Sequence, residues 1–304
     1  MTEDLGQLLA QGERAAFHGP PAKAVEALER AVALAVESGR GAEATAATWL
    51  LGLSFGAAGR YGGALTTLRP LLATGEQPDA PPEQRLFGAL AGASLGSVLR
   101  QLGRHAEARG ADERGLALAE TTGEATFACR LGLAADAIGL GEAETAHAEA
   151  ERALALLPER PTEWWRQRVR YDWVRTELAM LDEDPEAAVE AAEAAVERAE
   201  RARAPRHVAK SLLFLGVAQV QHGSNDATAS LRRAATLAEG LGALPLVWPS
   251  RAVLGAVLAG DGDAESATSL AAARSAVLAI AGDLPDELRG EWLARPDVAA
   301  LLEG

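Results

Sequence analysis

The sequence predicts an all-α fold built from about seven stacked helical hairpins. Three observations carry this. The 304 residues include 69 alanines, only two isoleucines (Ile138 and Ile280) and 4% aromatics, a composition that favours helix over sheet. Apolar residues recur at three- and four-residue steps, the period of one helix face. A spaced string headed by Leu-Gly returns with a period of roughly 40 residues, the signature of a repeat architecture.

The first hairpin is degenerate, marked by Gly12, Gly19 and Ala24. Its second helix is expected over 22–36, where Val25, Leu28, Ala31, Val32 and Ala35 form one apolar stripe and Glu26, Glu29 and Arg30 fall outside it. Pro20 and Pro21 sit at the start, where a missing N–H costs nothing, and Gly39 and Gly41 end it. The same reasoning places helices near 41–58, 61–74, 82–102, 105–121, 124–139, 142–157, 161–182, 185–203, 205–222, 225–240, 245–260 and 263–282. Proline-containing joints separate several of them: 77–82, Pro158 to Pro161, Asp184-Pro185, Pro205 and Pro245.

The repeated string runs Leu51-Gly52…Phe55…Gly59-Arg60-Tyr61…Ala64. It recurs from Leu95-Gly96, Leu131-Gly132, Leu215-Gly216 and Leu254-Gly255. The interval from Leu131 to Leu215 is twice the others and holds a fifth unit without the Leu-Gly pair, around Val174 to Leu178. One such hairpin leaves apolar surface on both sides, so several must stack before the fold is stable. Gly88, Gly92 and Gly96 lie four apart and offer a smooth strip to a partner helix. Residues 1–282 are expected to form the array and 283–304 a C-terminal capping segment, with Trp292 and Leu293 covering the last hairpin.

Charge and composition exclude several functions. The net charge of −14 argues against nucleic acid and against an anionic membrane surface. The lone Cys129 allows neither an intramolecular disulfide nor a cysteine zinc site, and a buried, inert thiol is expected. The acidic start and the lack of a long apolar run predict a soluble, cytoplasmic protein. Two Gly-x-Ser-x-Gly strings, around Ser54 and Ser94, fall inside predicted helices rather than on a strand-to-helix elbow. The five histidines are scattered without ligand spacing, and no phosphate-binding or dinucleotide fingerprint occurs. No cofactor, no metal and no catalytic residue is expected.

The string Leu51-Gly52-x-x-Phe55…Gly59-x-Tyr61-x-x-Ala64-x-x-x-Leu68 resembles the tetratricopeptide repeat, and Leu95 to Ala108 resembles a second copy. The period, longer than that usual in the family, is similar to that of superhelical sensor regions of bacterial transcription regulators. The tail Asp283 to Leu302 resembles the ending of such arrays in large ATPase-linked regulators. The resemblance implies a right-handed α-solenoid whose first helices line a concave groove. Carried onto this chain, the groove positions are Trp49 and Leu53, Ala93 and Ser97, Cys129 and Leu133, Leu213 and Val217, Ala252 and Ala256, with Asp172 and Thr176 in the fifth unit. Burial of these positions inside a tight superhelix is the competing expectation.

The most unusual stretch is 163–175, where Trp164, Trp165, Trp173, Arg166, Arg168, Arg170 and Arg175 crowd an otherwise acidic, aromatic-poor chain. Trp and Arg concentrate interface energy, so this helix is a candidate binding surface, while packing after the Pro158–Pro161 break would also account for it. The acidic stripe Glu186, Glu190, Glu193, Glu197, Glu200 reads as a solvated outer face. The function expected is a non-enzymatic protein- or peptide-binding scaffold, regulatory or adaptor in kind. Its candidate contacts are Trp49, Leu53, Ser97, Arg100, Trp164, Arg166, Arg168, Arg170, Asp172, Thr176, Leu213 and Val217. The alternative is a sensor holding a small hydrophobic molecule, and an exposed terminal face leaves a homodimer open.

Overall fold

The computed structural model describes residues 4–119, 123–160 and 164–304. Among them every regular element is an α-helix, and they divide between two compact units, Met1–Pro161 and Thr162–Gly304. The first unit holds four hairpins: α1 (Leu5–His18) with α2 (Pro21–Glu37), α3 (Gly41–Ala58) with α4 (Tyr61–Gly75), α5 (Pro82–Gln101) with α6 (His105–Leu118), and α7 (Glu124–Gly139) with α8 (Ala143–Leu154). The second holds three: α9 (Trp165–Leu181) with α10 (Pro185–Arg201), α11 (Pro205–His222) with α12 (Ala227–Leu241), and α13 (Leu244–Gly260) with α14 (Glu265–Asp283). Two short helices follow, α15 (Asp286–Ala294) and α16 (Pro296–Glu303). The seven hairpins are those the repeat predicts. Residues Pro161 and Glu163, read above as part of a joint and a helix start, lie outside the described residues.

The punctuation of the sequence sets the helix ends. Pro21, Pro82, Pro185 and Pro205 open helices at first-turn positions, where no backbone N–H is required. The first helix of each hairpin from the second onward ends in a left-handed residue. Five of these are glycines, Gly59, Gly103, Gly141, Gly223 and Gly262, with φ between 71° and 82°. The sixth, after α9, is Glu183 at φ 60°.

Within a unit each helix packs on the next, and the first helix of a hairpin also meets the first helix of its neighbour. One contact recurs. A glycine of the first helix, which in the clear repeats belongs to the Leu-Gly motif, lies under a leucine of the following helix: Gly12 under Leu28, Gly52 under Leu68, Gly216 under Leu231 and Gly255 under Leu270. A Cβ on any of these glycines would stand 2.5–2.8 Å from the leucine side chain. The third hairpin departs from the pattern, because the residue against Gly96 is Asp112.

Gly88 and Gly92 serve packing, as expected. A Cβ on Gly88 would lie 2.9 Å from the Cα of Gly75, and one on Gly92 would lie 2.8 Å from the Cα of Gly115. Helix α5 therefore approaches α4 and α6 at backbone distance. At the C-terminus, Trp292 is 1% exposed, edge-on to Trp248 with ring centroids 6.0 Å apart, and its indole N–H donates to the Val277 carbonyl at 3.4 Å. Arg274 Nε donates to the Leu301 carbonyl at 2.7 Å and ties α16 to α14. Among the described residues no helix is long and apolar enough to cross a membrane.

Candidate functional site

The second unit carries the densest cluster of aromatic and cationic groups. Matching the left-handed residues after α9 and α11, Glu183 and Gly223, brings the two helices into register. Arg166 then corresponds to Arg206, and Arg170 to Lys210. Each pair sits one turn apart in the N-terminal half of its helix. The helices run side by side in the same direction, since Trp165 meets His207 while Trp173, two turns on, meets Ser211 and Phe214.

The aromatic groups interlock around His207. Trp165 packs edge-on to its ring at 5.1 Å, and Trp173 stacks on it at 5.6 Å with the planes 17° apart. Trp173 also stacks near Phe214 at 6.4 Å and donates its indole N–H to Ser211 Oγ at 2.8 Å. Lys210 Nζ lies 4.3 Å from the centre of the Trp173 ring and 5.4 Å from that of Phe214, within cation–π range of both.

Burial holds the His207 imidazole well below its ordinary pKa, and the like charges of Arg206, Arg166, Arg170 and Lys210 push the same way. It is neutral at pH 7 and packs as a flat apolar plate, with its buried Nδ1 lacking a hydrogen-bond partner among the described residues. Burial also pushes the Arg206 guanidinium down to about 10, with Arg170 adding to the effect. Positive charge is thus concentrated locally in a chain of net charge −14.

The other residues singled out from the sequence have varied places. Trp164 is half-buried in a left-handed conformation at the start of α9 (φ 52°), and Arg168 is half-buried. Leu53, Leu213 and Val217 are half-buried, and Ser97 is exposed. Trp49 is half-buried between α3 and α5, tilted against Phe87 at 5.9 Å, with its indole N–H donating to Ser94 Oγ at 3.0 Å. Asp172 and Thr176, expected as groove positions in the fifth unit, are buried. The register of α9 on α11 puts Arg175-Thr176 where the next hairpin has Leu215-Gly216, one residue later than the sequence reading assumed. Asp172 instead accepts a hydrogen bond from Arg198 Nε of α10 at 2.8 Å, and Thr176 donates to the Asp172 carbonyl at 2.9 Å.

Arg100 is also turned inward. One guanidinium nitrogen donates to Asp112 at 2.6 Å, to Asp136 at 2.9 Å and to the Gly132 carbonyl at 3.2 Å. Both aspartates are fully buried. Burial raises both carboxyls, Asp112 to about 8, against the lowering effect of Arg100, so this pair holds a proton at neutral pH. Cys129 is buried, and Ser54 and Ser94 donate to carbonyls one turn back inside their helices.

Sequence reasoning found the α9 side of the cluster and missed the α11 side: Arg206, His207, Lys210 and Phe214. The available signal was the recurrence of basic residues at equivalent places in successive repeats, with Lys210 one of only two lysines in the chain. It also missed the buried aspartates. There the signal was Asp112, which stands to Gly96 as Leu28 stands to Gly12 and Leu68 to Gly52.

No family model matches the chain, and no curated protein matches it. Solved structures do. A Rap protein complexed with competence and sporulation factor is 13% identical, with a TM-score of 0.59 over 99% of this chain and 80% of that one. Aspartyl phosphate phosphatase F from Bacillus subtilis is also 13% identical, with a TM-score of 0.51 over 100% of this chain and 84% of that one. At this identity the likeness is one of fold. With seven helical hairpins and a recurring Leu-Gly string, the chain has an all-α, tetratricopeptide-like helical-repeat fold.

Proposed function

We propose that the protein is a non-enzymatic regulatory scaffold that binds a protein or peptide partner, with the hairpins of 1–282 as its frame and 283–304 as the closing segment. The observation that carries this reading is the α9–α11 face, where Trp165 and Trp173 pack on His207, Phe214 stacks on Trp173, and four cations act on His207. Tryptophan and arginine concentrate binding energy when they share a partly desolvated surface. The fold supports the reading too: a similar structure, the Rap protein, was solved in complex with competence and sporulation factor.

The test is selection of binders from a random-peptide display library on the full chain, followed by fluorescence polarisation with the synthesised peptides. A peptide family should emerge whose affinity falls roughly tenfold or more in Trp165→Ala and in Arg166→Gln. Enrichment of no family, together with a small hydrophobic molecule retained in native mass spectrometry, would replace this reading with that of a small-molecule sensor.

A further inference from the structure

In each unit one second helix, α6 or α12, carries two arginines that reach to opposite sides. Arg114 of α6 reaches back to Glu76 at the end of α4, with two bonds of 2.7 Å. Arg109 reaches forward to Glu142 at the start of α8, at 2.5 and 3.3 Å. Arg233 of α12 reaches back to Glu200 in the last turn of α10. Arg232 reaches forward to Glu265, the first residue of α14, at 2.7 and 3.4 Å. Arg109 and Arg114 are five residues apart and Arg232 and Arg233 are adjacent, spacings that turn two side chains by about 140° and about 100° around a helix.

The two edges of each unit are held differently. The first helices pack on one another, α3 on α5 and α5 on α7, α9 on α11 and α11 on α13, through contacts such as Trp49 with Phe87 and Trp173 with Phe214. Successive second helices have almost no direct packing, so among the described residues these ion pairs are their main link. All eight side chains are 28–54% exposed. Hydrogen bonds from Arg114 and Arg232 hold the Glu76 and Glu265 carboxyls below the usual carboxylate range, so both acids are ionised at pH 7. Dissolved ions screen exposed pairs of this kind, and they screen the enclosed Arg100 triad far less.

We propose that these arginines form an ionic strap in each unit, which sets the spacing of successive second helices and slackens as ionic strength rises. The packed row of first helices is the fixed edge, so a released strap lets each hairpin swing on its neighbour without melting either. The strap does not depend on what the protein binds. Self-repulsion in a chain of net charge −14 works the other way, because added salt screens it and lets acidic surfaces draw together. The direction of movement therefore separates the two effects.

Energy transfer between dyes on paired cysteines tests the strap in the full chain, with the buried Cys129 left in place. One version carries Ala73→Cys on α4 and Thr145→Cys on α8, both at exposed sites. A second carries Ala57→Cys on α3 and Ala135→Cys on α7. Going from about 0.01 M to about 1 M sodium chloride shortens the screening length from about 30 Å to about 3 Å. The α4–α8 distance should lengthen by a few ångströms, the α3–α7 distance should hold, and helical content should not change. At low salt Arg109→Glu should lengthen the α4–α8 distance, and adding Glu142→Arg should restore it. Arg114→Glu with Glu76→Arg supplies a second exchange, because an arginine is disfavoured at the start of α8 and favoured at the end of α4. An α4–α8 distance that stays constant or shortens with salt would overturn the strap. So would equal lengthening of both distances, or a failure of both exchanges to restore the distance.

Discussion

Arg100 holds Asp112 at 2.6 Å, and that carboxylate occupies a place where four other hairpins put a leucine over a glycine. Burying charge in this way stabilises less than apolar packing would. Asp112→Leu leaves Arg100 paired one-to-one with Asp136, so it is expected to be neutral or to stabilise by about 1–2 kcal/mol. Arg100→Leu strands two buried carboxylates and should destabilise by roughly 3–5 kcal/mol. Urea denaturation of the two variants checks the order, and a better tolerated Arg100→Leu would refute this account.

The same cluster makes stability depend on pH. In the folded protein Asp112 titrates at about 8, whereas in the unfolded chain an aspartate titrates at about 4. The folded state therefore holds a proton that the unfolded state has released. Its contribution is complete below about pH 4 and is lost as pH rises through about 8. The transition of the first unit should come at lower temperature at pH 9 than at pH 6, and Asp112→Asn should narrow that difference. Differential scanning calorimetry at the two pH values reads it directly.

His207 gives the second unit the opposite dependence. Its pKa is lowered in the folded state, so protonation in the unfolded chain at about pH 6.5 favours unfolding. Stability from this group is present above about pH 6.5 and is lost on acidification. His207→Gln should reduce the acid sensitivity of the second unit, followed as Trp fluorescence across pH 7 to 5.

Two glycines in adjacent helices should respond to alanine in opposite directions. A Cβ on Gly92 would meet the backbone of α6 at 2.8 Å, so Gly92→Ala must part α5 from α6 and should destabilise by about 1–3 kcal/mol or more. Gly110 sits inside α6 with open space beside it, so Gly110→Ala should stabilise by about 0.5–1 kcal/mol through helix propensity. Thermal melts of both variants decide it.

Glu183 occupies the left-handed turn after α9, where the equivalent turns use glycine. A non-glycine residue is strained there, and this one is exposed. Glu183→Gly should stabilise by about 0.5–1 kcal/mol, the strain relieved less the added freedom of the unfolded chain. A lowered melting temperature would show that the Glu183 side chain has a structural role.

The hairpins were legible because their signals are local. Pro82, Pro185 and Pro205 mark helix starts, Gly59, Gly103 and Gly223 mark ends, and the stripe from Val25 to Ala35 marks a buried face. Contacts between hairpins were not legible. Arg100 meets one partner in α6 and another in α7, and nothing in its immediate sequence selects them. The register of the fifth hairpin slipped by one residue because Arg175-Thr176 replaces the Leu-Gly anchor. That slip singled out Asp172 and Thr176, both of which are buried. The aromatic and cationic cluster was half visible: Trp164 to Arg170 stand out by density, whereas Arg206 and Lys210 gain meaning only once α11 lies beside α9.

Leucine over glycine closes a hairpin on itself in the same way from repeat to repeat, so it does not specify which hairpin comes next, and hairpins could pair out of order or with those of another molecule. The Arg100 bonds to Asp112 and Asp136 join α5, α6 and α7 by a match that the leucine joints do not offer. A mispaired neighbour would leave a charge enclosed without its counterpart, at roughly 3–5 kcal/mol. The triad thereby acts as a key that fixes the order of assembly, and its removal should appear as domain-swapped dimers on refolding before any loss of helix.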